Sequence, residues 1–67
     1  MGAYAWYYND HINNICYWAF AYELSATKFA ERVTAYLGRR ITASDTSYAS
    51  SSSDLERHQQ GMHKIKV

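Results

Sequence analysis

The candidate ligands for a transition metal in this 67-residue chain are His11, Cys16, His58 and His63. A structural zinc site usually draws its ligands from close pairs of cysteines or histidines. His58 and His63 have a compatible spacing, but His11 and Cys16 form no standard pair. Gly61 also breaks any helix that would set the two C-terminal histidines on one side. Surface histidines are therefore the expectation, with no metal and no other cofactor.

Catalysis finds no better footing. Cys16 would need a neighbouring base and an electropositive setting to become a thiolate nucleophile. On an aromatic strand it reads instead as a small buried hydrophobe. Asp10 and His11 are adjacent in a loop-like stretch, where such a pair more often makes turn hydrogen bonds than an acid–base dyad. No paired carboxylates, phosphate-cradling glycine loop or triad order occurs. The chain is expected to be non-catalytic.

Binding chemistry is better represented. Seven Tyr, two Trp and two Phe accompany a net charge of only +1. Tyr, Trp and Arg are the types most enriched at protein-binding hot spots. On that basis Tyr4, Trp6, Tyr17, Arg39 and Arg40 are the predicted contact residues for a protein partner. The bland reading of the tyrosines is that Tyr7, Tyr17 and Tyr48 cap a small core with their hydroxyls in water. Single-stranded nucleic acid ranks second: Tyr4, Trp6, Tyr17 and Trp18 supply rings, and Arg39, Arg40, Lys64 and Lys66 supply charge. That charge is sparse, so nucleic acid is not favoured. The stretch from Thr27 to Ser47 lacks helix-turn-helix spacing, because Gly38 falls a full turn too late after Ala30.

The elements that position these residues are organised around Ile15 to Gly38. Cys16, Trp18, Phe20, Tyr22 and Leu24 share one bulky face of a strand over 15–24, and Ile15, Tyr17, Ala19, Ala21 and Glu23 share the other. Ser25 then caps a helix over 26–37, in which Ala26, Phe29, Ala30, Val33 and Leu37 form an apolar stripe. Gly38 suits the left-handed residue that closes such a helix. The bulky strand face is expected to pack on that stripe. Upstream, residues 3–8 alternate as a second aromatic strand, joined to the first by NDHINN as a hairpin loop. Ile12 is the misfit in that loop, and either folds back onto the core or extends a strand.

Downstream the signals weaken. Residues 39–49 fit an edge strand or an extended loop equally. Ser50–Ser53 read as a flexible connection. Ser53 and Glu56 spell a capping box that opens a short helix over 54–60, and Met62–Val67 alternate as a last strand or fray as a tail.

Together these elements make a single α+β domain over 1–67, a small antiparallel sheet with its helices on one face. The competing fold is one long helix over 8–37 with a heptad seam, in an all-α or coiled-coil assembly subunit. Asn9, Asp10, Asn13 and Asn14 argue against it, since their side chains compete for the backbone. Charged residues interrupt every apolar span, and no basic leader precedes one, so the expected protein is cytoplasmic with no membrane partner. One unpaired cysteine fits a reducing compartment. Self-association is compatible with so aromatic a surface. Chains of this size without cofactor motifs resemble phage or mobile-element accessory proteins that inhibit or modulate host machinery, an analogy of size class alone.

Overall fold

A computed structural model describes residues 5–20 and 24–67. The described chain is α+β and runs β1 (Ala5–Asp10), β2 (Ile15–Phe20), α1 (Ala26–Leu37), a 3-10 turn (Ala43–Asp45), β3 (Ser47–Ala49), α2 (Ser52–Glu56) and β4 (Met62–Lys64). The 8–37 helix is excluded: β1 and β2 pair antiparallel from Ala5 opposite Phe20 to Asp10 opposite Ile15.

The four strands form one sheet in the order β3-β1-β2-β4, and it is mixed rather than antiparallel. β3 pairs antiparallel with β1, whereas β4 pairs parallel with β2. It follows that β2, β3 and β4 all point the same way. The chain thus makes two crossovers, from β2 to β3 through α1 and from β3 back to β4 through α2. Crossovers between strands of like direction nearly always share one hand. Two that traverse the sheet in opposite directions must then place their helices on opposite faces.

The packing follows that rule and corrects the expectation of helices on a single face. On the first face α1 lays Phe29, Ala30 and Val33 over Tyr17 and Ala19, with Ile41 and Ile65 completing the core and Trp6, Tyr8 and Ile15 at its margin. On the second face Leu55 of α2 covers Ala5, Tyr7, Cys16 and Ala49, with Trp18 and Met62 alongside. The helix therefore sits on the face of Tyr17 and Ala19, not on the bulky face of Cys16, Trp18 and Phe20. The small Ala19 leaves room there for Phe29 and Val33 of the helix beside Tyr17.

Local signals explain α1 in full. Ser25 Oγ accepts a hydrogen bond from the Lys28 amide at 3.1 Å. Gly38, at φ 74°, ends the helix by donating its N–H to the Thr34 carbonyl. A side chain other than glycine would be strained in that left-handed conformation. The next residues are clasped back onto the helix, because Thr34 Oγ1 accepts from the Ile41 amide at 2.8 Å and donates to the Ile41 carbonyl at 3.2 Å.

Other boundaries shift. β1 continues through Asn9 and Asp10, so the hairpin loop is only residues 11–14. β2 is defined to Phe20, while Ala3, Tyr4 and residues 21–23 lie outside the described residues. The serine run is no flexible connection: Ser51 caps α2 by accepting from the Asp54 amide at 3.1 Å, and Ser52 and Ser53 form its first turn. Ser53 and Glu56 thus lie within α2, which spans Ser52–Glu56 rather than 54–60, and a capping box occurs at the 3-10 turn instead, where Asp45 Oδ2 accepts from both the amide and the hydroxyl of Thr42 at 2.9 Å. Of the edge strand and the extended loop that residues 39–49 fit equally, the structure has a strand at Ser47–Ala49.

Candidate functional site

β2 and β4 lie at one side of the sheet, and α2 lies nearest β3 at the other. Among the described residues, the second face is consequently well covered over Ala5 and Ala49 and poorly covered toward β4. Strand alternation sends Trp18 and Phe20 to this face. The parallel register places Lys64 beside Trp18 and Met62 beside Cys16. Trp18 and Met62 are half-buried, and Phe20 is 47% exposed.

The rings of Trp18 and Phe20 meet edge to face, centroids 5.0 Å apart at 86°. The Lys64 ammonium lies 5.7 Å from the Trp18 centroid and 5.1 Å from that of Phe20. Each contact is a cation–π interaction worth about 0.5–1 kcal/mol at an exposed site. The result is an apolar platform with one fixed positive charge, carried on regular strands rather than on a loop. Such a surface can stack a planar group or bury an aliphatic one.

A second constellation ties the β1–β2 hairpin to the end of α1. The Asp10 carboxylate is buried on the first face, where Oδ1 accepts from the Ile12 and Asn13 amides at 3.2 and 3.3 Å. Its Oδ2 accepts from Asn13 Nδ2 at 2.9 Å and meets Arg39 Nη2 at 2.8 Å. The Asn13 hydrogen bond first, and then Arg39, hold the Asp10 carboxyl down at about 2, against the opposing effect of burial. Arg39 Nη2 also lies 3.4 Å from the Tyr8 hydroxyl. This arrangement fixes the turn and offers no free base.

The residues considered for metal or nucleophilic chemistry are dispersed. Cys16 is fully buried, and burial raises its thiol to about 11, which suppresses the thiolate. His58 stacks on Tyr7 with centroids 4.4 Å apart, and its Nδ1 accepts from Asn9 Nδ2 at 3.1 Å. His63 sits across the sheet with its Nε2 hydrogen-bonded to the exposed Tyr36 hydroxyl. Among the described residues no three His, Cys, Asp or Glu side chains gather as a metal site.

Cys16 is consequently expected to react with a disulfide reagent at pH 8 more slowly in the native protein than in urea, by about two orders of magnitude or more. Mixing with the reagent under both conditions measures this. Comparable rates would show that the thiol is not sequestered.

The predicted contact residues do not converge. Tyr4 lies outside the described residues. Tyr17 is 5% exposed beneath α1, and burial raises its hydroxyl, so it is core rather than contact surface. Trp6 is half-buried on the same face, its Nε1 donating to the Leu24 carbonyl at 2.7 Å and its ring edge-on to Tyr48. Arg39 is committed to Asp10, while Arg40 is exposed beside Thr42 and Ala43. Phe20 and Met62 escape a reading of the sequence because alternation groups the bulky side chains of β2 without telling which strand face meets α1. The available signal was the alternation in 62–67, which put Lys64 on a strand that had to find a partner.

No family model matches the chain, and neither the curated proteins nor the solved structures supply a match. Among the described residues no helix is long and apolar enough to cross a membrane.

Proposed function

We propose that this chain is a non-catalytic binding module whose partner, a protein, docks on Trp18, Phe20, Met62 and Lys64. The supporting observation is on the second sheet face, where Phe20 is exposed beside Trp18 with a lysine over both rings. Large rigid rings ringed by polar groups make efficient anchors, because few rotamers are lost on binding. Net charge favours a protein over nucleic acid, since +1 gives little attraction to a phosphate backbone. On the size-class analogy, such a module modulates a larger host machine by occupying it, as an accessory protein of a phage or mobile element does.

A photo-crosslinking residue at position 20, in extract of the cells that encode the protein, tests this. One discrete adduct is expected, absent when the probe sits at Lys28 and lost on Trp18→Ala. Equal adducts from both positions, or none, would sink the reading. A second reading has its own support in the pairing of exposed rings with Lys64: single-stranded nucleic acid stacked on the platform. Quenching of tryptophan fluorescence by a short oligouridine, reversed by salt, would replace the protein partner with that one.

A further inference from the structure

A small cavity of about 140 Å3 opens between the β1–β2 hairpin and the segment that joins α2 to β4. Asn9, Asp10 and His11 line its hairpin side, and Arg57, His58 and Gln60 line the other. The hairpin tip is exposed, Ile12 at 84%, rather than folded over the opening. The two walls are fixed against each other. His58 stacks on Tyr7 and is hydrogen-bonded to Tyr7 and Asn9, at 2.9 and 3.1 Å. Gly61, at φ 68°, turns the joining segment so close to the hairpin that a Cβ there would lie 3.5 Å from the Asn14 carbonyl oxygen. A ligand that bridged these walls would have little of the protein left to order.

The lining is rich in N–H donors. Arg57 offers a planar fork of them, and His11 and Gln60 add a ring nitrogen and an amide. All three are exposed, and among the described residues Arg57 has no carboxylate within ion-pair reach. Asp10 is the only acid in the lining, and its carboxylate is already spent. It is buried, with its oxygens taken by the Ile12 and Asn13 amides, by Asn13 Nδ2 and by Arg39. What remains at the cavity is an unpaired guanidinium beside an imidazole and an amide, a field that favours an anion. The guanidinium fork grips two oxygens of one group at once, which selects an oxyanion. The volume lies below the roughly 300–1,000 Å3 of sites for drug-sized molecules, so the group is small.

We infer that this cavity binds a phosphate group, held by Arg57, His11 and Gln60. A phosphate presents three strong acceptor oxygens and close to two negative charges at neutral pH, so it engages donors on both walls together. A carboxylate, with two oxygens and one charge, matches the fork but not the opposite wall. The site contains none of Trp18, Phe20, Met62 and Lys64, so it stands or falls apart from the proposed protein partner.

Titration of the full chain with inorganic phosphate, followed by NMR at constant pH and ionic strength, decides the matter. Shifts should saturate at about 1–10 mM phosphate and concentrate at Asn9, His11, Arg57, His58 and Gln60. Arg57→Gln and Gln60→Glu should each weaken binding by about tenfold or more. Arg32→Gln, on an exposed position of α1, should leave it unchanged. Circular dichroism of each variant confirms that it is folded. Glycerol 2-phosphate separates the sources of the group. Binding as tight as that of phosphate assigns the site to a phosphate ester, and binding of inorganic phosphate alone assigns it to the free ion. Shifts that never saturate, that spread equally over Arg32, Arg40 and Lys66, or that survive Arg57→Gln unchanged would overturn the inference.

Discussion

Phe29→Ala is expected to lower the thermal midpoint by about 15–30 °C. Phe29 is fully buried at the centre of the core between α1 and the sheet, with Val33, Ala19 and Tyr17 around it. Truncating a buried phenylalanine costs roughly 3–5 kcal/mol, from lost transfer energy and from the cavity left behind. In a domain of this length each kcal/mol moves the midpoint by about 4–8 °C. Typical stability is roughly 0.05–0.15 kcal/mol per residue, so the substitution removes a large share of the whole. Nothing nearby can refill the space cheaply, because Ala19 and Ala30 are small and held by strand and helix. Thermal circular dichroism of the two proteins measures the shift. A change of only a few degrees would mean that α1 does not rest on Phe29.

The second large effect concerns Asp10. Asp10→Ala should cost about 1.5–3 kcal/mol in denaturant unfolding, the range for hydrogen bonds to a charged group. The substitution leaves the Ile12 and Asn13 amides without their acceptor and Arg39 without its partner.

The same carboxylate sets an acid limit whose sign is definite. Its folded pKa is depressed from 3.8 to about 2, so the folded state prefers the charged form. The stabilisation is fully present above the unfolded value and is lost as pH falls through the folded one. Stability should therefore decline from near pH 4 toward pH 2, and Asp10→Asn should flatten that decline. Asp45 is also lowered, chiefly by the Thr42 amide, and contributes in the same direction. The decisive comparison is thus between native protein and Asp10→Asn over one pH series. Equal slopes in both would remove Asp10 from the acid response.

Asp10 also illustrates what a local reading can miss. Asn9 and Asp10 have low strand propensity, and their composition with Asn13 and Asn14 reads as loop. In the structure both are strand residues, opposite Cys16 and Ile15, and the Asp10 carboxylate organises the turn that follows. The turn chemistry was legible, but its place was two residues late. The serine run shows the same limit. Four serines in a row resemble a linker, yet Ser51 is in position to cap a turn that is held by Leu55 against the second face. Arg39 is a third case: an arginine after a helix looks available, and only the distant Asp10 shows that it is engaged.

The sequence by itself determined α1 from Ala26 to Leu37, with its Ser25 cap and Gly38 stop, because each of those signals acts within a few residues along the chain. It favoured β2 as a strand and α+β over one long helix, because a period of two is equally local, and left Met62–Val67 open between a strand, which the structure has at Met62–Lys64, and a frayed tail. Only the tertiary structure decided which face of β2 meets α1, that β4 runs parallel to β2, and that Phe20 is left exposed beside Lys64. Alternation tells which side chains share a face but not what will lie on it. That depends on the direction and hand of two crossovers, which bring together residues more than forty positions apart along the chain, such as Trp18 and Lys64.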